Sequence, residues 1–102
     1  MTFSCAGRSE AIAAQIMLII GGHARLTNWA TTPWASANFT GHRHRLLLTR
    51  DTPLDRRSER RLSAAIADHE FDLGEAVVAD AHLARVSPDG RTIAVELLTV
   101  ND

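Results

Sequence analysis

The run Ser87-Pro88-Asp89-Gly90 constrains this chain more than any other feature. Proline presets the φ of the first corner of a type I turn, aspartate suits the second, and glycine takes the left-handed conformation that closes the turn with a bulge. The flanking segments, EAVVADAHLARV and RTIAVELLTV, alternate between faces with a period of two, so the last quarter of the chain reads as a β-hairpin. This turn places Ser87 opposite Arg91, Leu83 opposite Val95, Ala81 opposite Leu97 and His82 opposite Glu96. One face then carries Val77, Ala79, Ala81, Leu83, Ile93, Val95 and Leu97 and belongs to the core. The other carries Val78, Asp80, His82, Ala84, Thr92, Ala94, Glu96 and Leu98.

A second hairpin is expected upstream. The segment 24–39 is rich in Thr, Trp and Phe, and Pro33 excludes a helix interior, so it reads as a strand broken or bulged near that proline. Thr40-Gly41 is the expected two-residue turn, because glycine supplies a positive φ without strain. The segment His42–Arg50 returns. Such a turn pairs Phe39 with His42, Ala37 with His44 and Ala35 with Leu46, a face that Leu48 continues and that is assigned to the core. Trp34, Ser36, Asn38, Arg43, Arg45 and Leu47 take the opposite face.

Two helices complete the order. Ser9 is the expected cap of a helix running to Ile20, with Ile12, Ile16, Ile19 and Ile20 at helical spacing and Gly21-Gly22 as its stop; residues 1–8 read as a loose leader. This helix is apolar most of the way round and is expected to be well buried. The second helix has Thr52 as expected cap, Pro53 at the first position and Asp55 at the third. Leu54, Leu62, Ala65, Ile66 and His69 form its stripe, it ends near Asp68 or His69, and Phe71 and Leu73 pack beyond it before Gly74 turns the chain.

The order α-β-β-α-β-β predicts a two-layer α+β sandwich, a four-stranded antiparallel sheet with both helices on one face. At 102 residues the chain is long enough for a single domain with its own core and no staple. The two αββ halves have similar lengths, but their sequences share too little to establish a repeat. The apolar run Ala11–Ile20 is too short to span a bilayer, and no clean cleavage site follows it, so a cytoplasmic location is expected.

The net charge of −1 gives no global bias toward nucleic acid or an anionic membrane. All eleven basic residues are arginine, which fits GC-rich coding and weakens any argument from the choice of arginine over lysine. The charge is nevertheless polarised: seven arginines and three acids lie between Gly41 and Arg61, and five acids with no arginine lie between Asp68 and Asp80. Arg56, Arg57, Arg60 and Arg61 crowd the first half of the second helix, where cations oppose the helix dipole.

Three functional readings follow. The helix-free face of the sheet mixes Trp34 and Leu47 with Arg43, Arg45, His82 and Glu96, more apolar and more charge-complementary than a merely solvated face. The leading reading is therefore a non-enzymatic module that self-associates as a homodimer through these six residues. The alternative is nucleic-acid binding through Arg43, Arg45, Arg56, Arg57, Arg60 and Arg61, although no stacking aromatics or GXXG loop accompany them. The third is a small metal or acid–base site. His42-x-His44 places two imidazoles on one strand face, a spacing metal sites use, while Asp80, His82 and Glu96 point to the other face. His82 beside Glu96 and Asp80 has the parts of a general acid–base group and equally those of a cross-strand ion pair. No cofactor motif is present, Gly21-Gly22 precedes a strand and is no phosphate loop, and Cys5 near Arg8 reads as a stray or packed thiol.

Overall fold

The computed structural model describes residues 2–21, 24–71 and 77–101, with side chains from Glu10 onward. The elements are α1 (Thr2–Ile20), β1 (Arg25–Ala35), β2 (Thr40–Thr49), α2 (Arg56–Asp68), β3 (Val77–Val86) and β4 (Thr92–Asn101). The sheet is antiparallel throughout, in the order β1-β2-β4-β3. The α-β-β-α-β-β order and the four-stranded antiparallel sheet are those expected.

Helix α1 already runs from Thr2, so Ser9 lies within it and residues 2–8 are helical backbone. It stops where glycine was expected to stop it: Gly21 has φ +66, and its N–H donates to Met17 O at 2.9 Å. Ile12, Ile16 and Ile20, spaced four apart, are buried. The helix is not buried all round, however, for Leu18 is 82% exposed.

The first hairpin corrects the reading of its turn. Ala35 pairs with Thr40, Trp34 with Gly41 and Pro33 with His42, and the turn is Ser36–Phe39, closed by Ser36 N–H donating to Phe39 O at 2.8 Å. Thr40 and Gly41 therefore open β2 and do not turn the chain. Gly41 is glycine for another reason. A Cβ there would overlap the Thr99 carbonyl oxygen and meet Trp34 Nε1 at 3.0 Å, so the residue admits a close approach of β4 and of the Trp34 indole. Phe39, expected in the core, sits in the turn and is 57% exposed. Pro33 does not break β1, because β1 is an edge strand and spares the N–H; the irregularity falls between Leu26 and Asn28 instead. The turn moved by an odd number of positions with its loop lengthened by two, a combination that leaves each strand's faces as expected.

The second hairpin has the expected turn and a different register beside it. Gly90 has φ +74 and donates to Ser87 O at 2.9 Å, yet Ser87 N–H donates to Thr92 O, so Ser87 stands opposite Thr92 and not Arg91. A bulge between Leu83 and Arg85 takes up the difference, and Leu83–Val95, His82–Glu96 and Ala81–Leu97 pair as expected. A further bulge between Val78 and Asp80 exchanges two valines: Val78 turns to the core, and Val77, expected there, is 59% exposed. Arg91, released from the ladder, accepts Arg50 N–H at its carbonyl and donates its guanidinium to Asp51 O. Gly90 O accepts Leu54 N–H, and a Cβ on Gly90 would stand 2.6 Å from Leu54 O. The turn thus anchors the connection from β2 to α2.

That anchorage explains why α2 starts late. Pro53 and Leu54 are held beside Gly90, and the cap is Asp55, not Thr52: Asp55 Oδ1 accepts Ser58 N–H at 2.7 Å. The Ser58 backbone N–H holds the Asp55 carboxyl below the usual aspartate range. The helix ends at Asp68, as expected, and His69 meets the Phe71 ring edge-on at 4.6 Å. Leu73 and Gly74 lie outside the described residues.

The core gathers Ile12, Ile16 and Ile20 of α1, Leu62 and Ile66 of α2, and Leu46, Leu48, Ile93, Val95 and Leu97 of the two central strands. Fully burying each such aliphatic contributes roughly 1.5–3 kcal/mol. Among the described residues no helix is long and apolar enough to cross a membrane.

Candidate functional site

Strand register brings all six residues of the leading reading onto one face, the one turned away from this core. Four rows cross it from β1 to β3. The first is Trp34, Gly41, Val100, Val77; the second Thr32, Arg43, Leu98, Asp80; the third Ala30, Arg45, Glu96, His82; the fourth Asn28, Leu47, Ala94, Arg85. Alternation along each strand requires this grouping once the register is set.

The third row is polar along much of its length. Arg45 Nε lies 3.8 Å from Glu96 Oε2, and Glu96 Oε1 lies 3.5 Å from His82 Nε2. His82 Nδ1 reaches Asp80 Oδ2 at 3.0 Å. Glu96 therefore stands between a guanidinium and an imidazole, and the imidazole between two carboxylates. All four groups keep contact with solvent, so each such pair contributes roughly 0–1 kcal/mol to folding. Arg43, Asp80, His82, Glu96 and Leu98 line a depression of about 210 Å³. The His82, Asp80 and Glu96 side chains in it all remain partly exposed to solvent.

Trp34 occupies the end of the face. Its indole Nε1–H lies against Gly41 and donates to Thr99 O at 3.1 Å. Leu47, Leu98 and Val100 are half-buried beside the charged rows. Val77 and Arg85 belong to this face as well. Sequence reasoning missed them because the two bulges that put them there carry no distinctive residue.

The two histidines of His42-x-His44 do face the core, opposite to His82, as their register predicts. Their rings are 6.1 Å apart and tilted by 45°. His44 is buried, with Thr31 Oγ1 3.2 Å from Nδ1 and Thr99 Oγ1 3.2 Å from Nε2. Thr99 Oγ1 donates to His42 O at 3.1 Å, so its lone pair faces His44. A neutral His44 then carries its proton on Nε2 and accepts the Thr31 hydroxyl at Nδ1. Both ring nitrogens are committed to a hydrogen-bond chain inside the sheet. Among the described residues no three His, Cys, Asp or Glu side chains are grouped to hold a metal ion. The side chains of Cys5 and Arg8 lie outside the described residues.

The arginines of the nucleic-acid reading fall on two surfaces. Arg56, Arg57, Arg60 and Arg61 are exposed on α2, the helix that delivers Leu62 and Ile66 to the core. Arg43 and Arg45 lie on the sheet face turned away from that core. No family model, curated protein or solved structure matches the chain.

Proposed function

We propose that this chain is a small self-associating module, and that the open face of its sheet docks on the same face of a second copy. The observation that carries this reading is the self-complementarity of the rows. A two-fold axis parallel to the strands, running between β2 and β4, reverses every row onto itself. It lays Arg45 on the partner's Glu96, Leu47 on the partner's Ala94, Trp34 on the partner's Val77 and Ala30 on the partner's His82. Arg45 meets opposite charge and Leu47 a small side chain, as an isologous interface requires, while the second row lays the stem of Arg43 on the partner's Leu98 and Asp80 on the partner's Thr32.

The area is adequate. Four strands about 4.8 Å apart, each with about ten residues at about 3.4 Å, make a face of roughly 650 Å². Two such faces bury roughly 1,300 Å², within the range of specific interfaces. Aligned packing of two twisted sheets is a common solution for such faces.

The test is absolute mass in solution, by light scattering after size exclusion, at low and high salt. A dimer persisting at high salt is expected, because Trp34, Leu47, Leu98 and Val77 contribute apolar burial that salt does not screen. A monomer at high micromolar concentration would overturn the reading. A dimer lost with salt and insensitive to Trp34→Asp would overturn it too, in favour of pairing between α2 arginines and the acidic segment.

A further inference from the structure

A cleft on the other side of the molecule carries an independent inference. It opens where the end of α1 meets the start of α2, and it has a volume of about 300 Å³. Its lining is mixed, with Ile19 and Ile20 contributed by α1 and Leu54 and Leu62 by the start of α2 and the residues before it. Its polar share comes from Arg50 at the end of β2, and from Ser58 and Arg61 on one face of α2.

Arg50 is the unusual member. Its Nε is buried and has no hydrogen-bond partner among the described residues. Neither Arg50 nor Arg61 joins an ion pair there, although Arg25, Arg45 and His82 all do. Buried donors of this kind are rare in folded proteins, and a charged one is costly to leave unmatched. The Arg50 backbone N–H donates to Arg91 O at 2.8 Å, which anchors the residue beside the cleft. The negative end of the α1 dipole favours cations nearby, yet it supplies Arg50 Nε with no acceptor.

We infer that this cleft binds an oxyanion carried on a short apolar chain, with Arg50 and Arg61 on the anion and Ile19, Leu54 and Leu62 around the chain. A guanidinium presents its N–H groups as a planar fork that matches a carboxylate or a phosphate. The Ser58 hydroxyl adds a neutral donor on the same face. The volume is at the lower end of small-ligand sites, which restricts the chain to a short one. The site is remote from the open sheet face, so it stands whether or not that face forms a dimer.

The experiment is calorimetric titration of the whole chain with four probes: octanoate, octyl phosphate, octanol and inorganic phosphate. Saturable binding of octanoate or octyl phosphate at one site per chain is expected, and whichever of the two binds more tightly identifies the headgroup. Arg61→Met, at an exposed position, is expected to weaken that binding about tenfold or more, and Arg50→Met likewise if it folds. Octanol or phosphate binding as tightly as the two amphiphiles would overturn the assignment, since one lacks the anion and the other the chain. Absence of saturable binding below millimolar concentration, or binding indifferent to Arg61→Met, would overturn it as well.

Discussion

The two faces of this sheet are built from the same strands and solve the problem of polar groups in opposite ways. On the core face, His44, Thr31, Thr99 and the His42 carbonyl are joined in a chain of hydrogen bonds, each group bonded to the next. On the open face, the charged groups Arg45, Glu96 and Asp80 and the imidazole of His82 follow one another at 3.0–3.8 Å, with solvent around each. A dry interior tolerates dipoles that are fully paired and resists charges, whose desolvation is far more expensive. The placement of charges therefore separates the face that folding covers from the face that folding leaves open. Aliphatic residues stand on both and make the distinction less well.

Adjacent residues of β2 give the largest contrast. Leu46 is buried in the core and Leu47 is half-buried on the open face. Leu46→Ala is expected to cost about 2–5 kcal/mol, read from the midpoint of urea unfolding. Leu47→Ala is expected to cost under about 1 kcal/mol in the monomer and to weaken self-association instead. Equal losses of stability would remove the distinction between the faces.

Thr99→Val tests the buried chain. It deletes the hydroxyl that lies between His44 and His42 O and removes one partner from each, an expected loss of about 1–3 kcal/mol by the same measurement. His82→Ala, its counterpart on the open face, is expected to change folding stability by less than about 0.5 kcal/mol. Trp34→Asp sharpens the contrast further: an unchanged circular dichroism spectrum with a halved mass in solution is expected, though it also adds a carboxylate near the Thr99 carbonyl.

How far the sequence carried these assignments differs between the hairpins. The faces of β2 were legible because His42, His44, Leu46 and Leu48 alternate with Arg43, Arg45 and Leu47 whatever the turn. The turn itself was not, because Gly41 is explained by the approach of Thr99 and Trp34 from elsewhere in the chain, and long-range crowding leaves no local sign. In the C-terminal hairpin the turn chemistry of Pro88, Asp89 and Gly90 was legible and the pairing of Ser87 was not. Thr92 replaced Arg91 as its partner because Arg91 is engaged by Arg50 and Asp51. The Ala84 and Ala79 bulges lie between similar small and β-branched residues, so nothing local marks Val77 as an open-face residue. The late start of α2 has the same origin, since Leu54 is held by Gly90. The cleft at Arg50 combines three elements and could not be seen before they were assembled.

The smallest expected effect concerns a charge that belongs to neither face. The Asp55 carboxyl is held low by the Ser58 N–H it accepts, so its ionised form favours the folded state. That contribution is complete above the ordinary aspartate range and is lost as pH falls through the lowered folded value. Urea midpoints of Asp55→Ala are therefore expected to fall less steeply on acidification than those of the parent chain. A parallel decline would mean that the cap does not sense pH.

The central claim is that the open face recognises itself with Arg45 set against the partner's Glu96. The most direct test mixes two charge-reversed variants, Arg45→Glu and Glu96→Arg. Each carries two like charges in the third row and so repels its own copy, while the two attract each other across the proposed two-fold axis. Light scattering is expected to find each variant monomeric alone and the equimolar mixture dimeric. Variants that dimerise alone as the parent does, or a mixture that stays monomeric while the parent dimerises, would contradict the account.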